Sequence, residues 1–168
     1  MQADWGHGFG MKSLARVFLL QAVLMWVVSL PAQAAMRSAT PATLGLLDVL
    51  GILVWAFGLF FETVADAQLA RFKADPANAD RVLDRGLWRL TRHPNYFGDF
   101  CVWWGIFLVA AETVPGRYVV IGPLVMSFLL IRVSGVAMLE KTIGKRRPGY
   151  AEYIERTSAF FPRPPKRR

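Results

Sequence analysis

Within one short stretch, Arg92-His93-Pro94-Asn95-Tyr96-Phe97-Gly98-Asp99, the chain sets a guanidinium, an imidazole, a carboxamide, a phenol and a carboxylate side by side. Apolar sequence long enough to cross a bilayer flanks it on both sides. Polar side chains near membrane depth are costly, so such a cluster marks a ligand site or a water-filled cavity. Asn95 can both donate and accept, which matches a carboxamide on a ligand. Asp99 follows four residues later on the same helix face. Pro94 suits the first turn of a helix and holds His93 in an extended conformation. Gly98 admits another backbone or a flat ring at close range.

Other residues extend the pattern. Glu62 and Asp66 share a helix face at the end of an apolar segment. They would either hold hydroxyls or an amide of a ligand, or mark a helix end reaching water. Beyond Arg71-Phe72-Lys73, Asp75-Pro76-Ala77-Asn78 predicts a turn. The spacing of Arg81, Arg85, Arg89 and Arg92 would align them on a helix, although Gly86 argues against an uninterrupted one. Guanidinium groups take phosphate bidentately, which suits a pyrophosphate or a 2′-phosphate. The competing reading is a loop resting near anionic headgroups. Arg132 lies inside apolar sequence, where a polar partner is expected. Glu140-Lys141 closes that segment, and a basic run through Arg147 leads to Tyr150 and Tyr153. These tyrosines share a helix face and would pack on a ring or anchor at headgroup depth. Pro162-Arg163-Pro164-Pro165 predicts an extended tail.

The elements that must position these groups follow from composition. The chain has 168 residues, 54% of them hydrophobic, and a net charge of +8. Four apolar segments, residues 17–35, 44–64, 97–111 and 118–139, compare with the ~20 residues of a spanning helix. The expectation is a single all-α membrane domain of about four transmembrane helices over residues 1–168, with a helical loop and a C-terminal tail on one face. Pro31, Pro115 and Pro123 fall near segment ends, where proline disturbs a helix least. Basic residues concentrate in residues 71–92 and 141–168. The positive-inside rule then places both termini, the loop and the tail in the cytoplasm. Membrane lipids and a hydrophobic small molecule are the expected partners, rather than nucleic acid. The stretch from Met11 to Ala34 also has the pattern of a secretory signal peptide, although a retained helix fits better. Cys101 is the single cysteine, which excludes an intrachain disulfide. With only His7 and His93 beside it, no metal site is expected.

The blocks FETVADAQLARFKADPAN, GLWRLTRHPNYFGD, RVSGVAMLEKTIGKRRPGYAEY and RTSAFFPRPP resemble the membrane steroid reductase superfamily, and within it the DUF1295 branch. The resemblance covers nearly the whole chain and implies a bacterial inner membrane as its location. It implies reduction of a carbon–carbon double bond in a steroid-like or other lipid enone, with NADPH held by a cofactor-binding core over residues 62–162. It implies cofactor contacts at Asp66, Arg81, Asn95 and Asp99. Lys73 stands where the steroid reductases carry arginine, and Glu62 where they carry asparagine. Arg92 and His93 lie inside the matching blocks, as do Arg132 and Glu140. Arg147, Tyr150 and Tyr153 resemble the segment that closes over the nucleotide. Tyr96 and Tyr153 are the candidate acids. Relatives of this branch carry further membrane helices ahead of the segment at Val17, with substrate-activating residues there, so the resemblance implies a C-terminal portion. RHPNYFG is also similar to membrane methyltransferases of the isoprenylcysteine and phospholipid type, for which the cofactor would be S-adenosylmethionine. A non-catalytic membrane partner is the third reading.

Overall fold

Two antiparallel helices, α3 (Leu46–Ala74) and α4 (Pro94–Ala111), form the spine of the molecule. The computed structural model describes residues 14–39, 43–133 and 149–166. Gly51 and Gly58 on α3 face Gly105 and Gly98 on α4. Each pair is seven residues apart, so its members return to one face after two turns. A Cβ on Gly58 would lie 2.6 Å from the Gly98 carbonyl oxygen, and one on Gly51 would lie 2.7 Å from that of Gly105. Only glycine permits this backbone-to-backbone contact. Small residues at a helix seam are what membrane helices use in place of the hydrophobic effect, because lipid tails are as apolar as leucine.

The remaining helices lean on this pair. Here α1 (Leu20–Val28) and α2 (Leu30–Arg37) are two arms of one apolar segment, bent by 48°. The break falls where Pro31 enters the first turn of α2 and Ser29 Oγ turns back to donate to the Trp26 carbonyl. Pro31 was expected near a segment end. It instead sits just after the bend, because its ring excludes the carbonyl partner that an unbroken helix would need. The fourth segment starts at α5 (Val114–Arg117), turns, and runs through α6 (Ile121–Phe128) into a π-helical stretch, Leu129–Val133. Trp104 of α4 donates to Ser127 of α6 at 3.1 Å. A short helix, α7 (Tyr150–Arg156), precedes an extended tail, as the prolines predict.

Among the described residues the protein is all-α, with large apolar side chains such as Trp26, Leu53, Phe60 and Phe128 more than half exposed on its outer faces. Two helical stretches, Leu46–Ala74 and Val114–Val133, are long and apolar enough to cross a membrane, and the bent α1–α2 pair makes a third if it is one span. The helix α4 is not in that set, although residues 97–111 were expected to span. Asn95, Tyr96 and Asp99 load its first turns with polar groups.

Candidate functional site

The glycine seam fixes what meets at one end of the spine. A Cβ on Gly98 would sit 2.5 Å from the Glu62 backbone nitrogen, so the first turns of α4 press directly against the last turns of α3. One turn beyond, Asn95 Nδ2 donates to Asp66 Oδ1 at 3.0 Å across the helix pair. Glu62 is half-buried within electrostatic reach of both Asp99 and Asp66. The Trp103 side chain lies beside the Asp99 carboxylate. Three carboxylates thus gather at the end of the helix pair where Asn95 pairs with Asp66. Such a set favours ligand groups that donate hydrogen bonds, such as hydroxyls or an amide NH₂.

A chain of backbone contacts walls this end. Asp75 caps the 3₁₀ turn Pro76–Asn78 by accepting from Ala77 N, and the buried Asn78 side chain donates to the Phe72 carbonyl at 3.1 Å. The expected turn is therefore present and closes α3. The arginine row does not form one helix face. Residues 81–85 are not helical, and Gly86 reverses the chain at φ +62° before a second 3₁₀ turn, Gly86–Arg89. This is left-handed backbone that glycine adopts without strain. Gln68 Oε1 accepts from Leu87 N at 3.1 Å, and Trp88 Nε1 donates to the Ala65 carbonyl at 3.1 Å. These bonds dock the turn onto α3.

The tail then docks onto the turn. Arg92 N donates to the Ser158 carbonyl at 2.9 Å, and Thr91 Oγ1 donates to that of Phe160 at 2.8 Å. The Arg92 guanidinium, buried with its residue, donates to the carbonyls of Ile154 and Thr157. Tyr153 is 3% exposed, and its hydroxyl donates to the Trp88 carbonyl. Phe160 and Phe161 pack edge-on against Phe97 and Phe100 of α4.

The residues singled out in the sequence therefore divide by position. Glu62, Asp66, Asn95 and Asp99 gather in one cluster. Lys73 and Arg81 are exposed on the adjoining segment. His93 is buried with its ring stacked on that of the half-buried Tyr96, at 5.7 Å between centroids. Tyr150 is buried beside Tyr153. Arg132 is exposed in the π-helical stretch that extends α6. Glu140 and Arg147 lie outside the described residues. Sequence reasoning missed Gln68, Trp88 and Thr91, which hold the walls. Thr91 carries no polar pattern of its own, and its complete burial appears only in the fold.

Residues 1–157 match the family described as "Protein of unknown function (DUF1295)". The chain belongs to that family. It is also similar to a Delta(14)-sterol reductase of Ascobolus immersus, 30% identical over 117 residues, which is 61% of this chain and 27% of the relative. A Delta(14)-sterol reductase of Schizosaccharomyces pombe is 32% identical over 110 residues, 56% of this chain and 26% of that protein. The match thus spans about a quarter of the length of these curated relatives. No solved structure matches the chain.

Proposed function

We propose that the polar end of the α3–α4 pair holds NADPH, and that this DUF1295 protein serves reduction of a carbon–carbon double bond in a steroid-like or other lipid enone. The carrying observation is the Asn95–Asp66 hydrogen bond, set by the glycine seam with Glu62 and Asp99 beside it. The similarity to two sterol reductases supports the same reading.

The donor set fits the cofactor. A nicotinamide carboxamide needs an acceptor for its NH₂ and a donor for its oxygen, and carboxylates beside an amide offer both. Asn95 and Asp99 are assigned to that end. Asp66 positions Asn95, and Glu62 accepts from ribose hydroxyls. Lys73 and Arg81, exposed and cationic, are assigned to phosphate. When bound, the cofactor supplies the hydride; the protein supplies orientation and exclusion of water. Tyr96, half-buried and stacked on His93, is the better-placed candidate acid. Tyr153 and Arg92 are assigned to holding the tail, because their polar atoms reach carbonyls of the docked segments.

The test is titration of the purified, detergent-solubilised chain with NADPH and, side by side, with S-adenosylmethionine. Saturable NADPH binding that Arg81→Ala weakens is expected. Binding of S-adenosylmethionine alone would move the protein to the methyltransferase reading, and binding of neither would leave it a non-catalytic partner.

A further inference from the structure

A second concave surface lies on the other side of the Gly86–Arg89 turn. It is a cavity of about 660 Å³ between that turn, the end of α7 and the tail. Its walls carry Arg85, Arg89, Arg156 and Lys166, against the single carboxylate of Asp84, which pairs with Arg156 at 3.6 Å. None of Glu62, Asp66, Asn95 or Asp99 lines it.

We propose that this groove is a phosphoryl-binding site, separate from the carboxylate cluster and independent of the dinucleotide reading. Its cations come from three chain segments and meet across a concavity. A loop that only satisfied the positive-inside rule would need the charges without the cavity. The lining is also held in place. Arg163 N donates to the Leu90 carbonyl at 2.9 Å, and Lys166 N donates to that of Arg156 at 3.1 Å, so the tail is tied to both other walls. Arg85 and Arg89 remain exposed, and guanidinium forks suit tetrahedral oxyanions. The ligand class is a phosphate ester or anhydride. Its source is either the headgroup of an anionic phospholipid or a soluble phosphate.

The experiment uses the full detergent-solubilised chain and three probes: inorganic pyrophosphate, dioctanoyl phosphatidylglycerol and dioctanoyl phosphatidylcholine. Arg85→Ala/Arg89→Ala is compared with Arg37→Ala/Arg71→Ala, which removes the same charge from exposed positions outside the groove. Lys166→Ala serves as a second groove variant. Loss of charge-assisted hydrogen bonds predicts about tenfold or more weaker binding in the groove pair, and unchanged binding in the control pair. Phosphatidylglycerol held more tightly than both other probes assigns the lipid source; pyrophosphate held equally well or better assigns a soluble phosphate. Arg81→Ala, aimed at the proposed cofactor contact, is expected to leave groove binding intact, so the two readings fail separately. No binding of pyrophosphate or phosphatidylglycerol, or an equal loss in the control pair, would overturn the proposal.

Discussion

The two ends of the α3–α4 pair are both polar, yet they use their polar groups differently. At the Asp48 end, Glu112 accepts from Leu47 N at 2.9 Å, and Asp48 accepts from Gly45 N at 2.9 Å. Thr113 Oγ1 accepts from Gly116 N at 3.1 Å, and Arg117 donates to the Ala111 carbonyl. Each of these side chains closes a helix terminus, where backbone groups have no intrahelical partner. At the Asp66 end, the carboxylates face a carboxamide and one another, and the helix termini are closed by other residues, such as Asp75 and Asn78. Polar residues at a membrane boundary therefore do not by themselves mark a site. What distinguishes a site is polar side chains in excess of the backbone groups they could cap.

The contrast can be broken most forcefully at the seam. Gly98→Leu places a side chain against the Glu62 backbone, which cannot yield, and is expected to cost at least the ~1–3 kcal/mol of overpacking. A thermal melt in detergent should show the largest loss of all these variants, together with loss of NADPH binding. Arg92→Ala comes next. It leaves the Ile154 and Thr157 carbonyls without the guanidinium and should cost about 2–3 kcal/mol. Limited proteolysis should then cut the tail near residues 154–161 faster than in the parent chain. Asn95→Ala is expected to weaken NADPH by about tenfold while moving Tm little, since its partner Asp66 is exposed. Glu112→Ala should do the reverse. It removes a cap worth about 1 kcal/mol and lowers Tm by a few degrees, with NADPH affinity unchanged.

Much of this end was legible in the sequence. The turn at Asp75–Asn78, the helix opening at Pro94 and the extended tail follow from local chemistry that no tertiary contact overrides. Glu62, Asp66, Asn95 and Asp99 stood out by type, although their pairing did not, because register between two helices is a tertiary property. One signal for that register does lie in the sequence: the matching seven-residue spacing of Gly51 with Gly58 and of Gly98 with Gly105. The break in the arginine row was legible at Gly86, but the direction the chain takes after it was not. Gly86 turns the chain so that Arg85 and Arg89 stay exposed while Arg92 is drawn inward to tail carbonyls some sixty residues away. Spacing along the chain cannot show that change of direction, nor the burial of Tyr153 beneath it.

The central claim is that the Asp66 end binds a dinucleotide and the Asp48 end only closes helices. The most direct measurement is NADPH affinity of the intact solubilised chain in parallel for Asn95→Ala and Glu112→Ala, each with its Tm. The account predicts a Kd raised about tenfold with little change in Tm for Asn95→Ala, and a lowered Tm with unchanged Kd for Glu112→Ala. Equal effects of the two substitutions on Kd, or an unaltered Kd in Asn95→Ala, would contradict it.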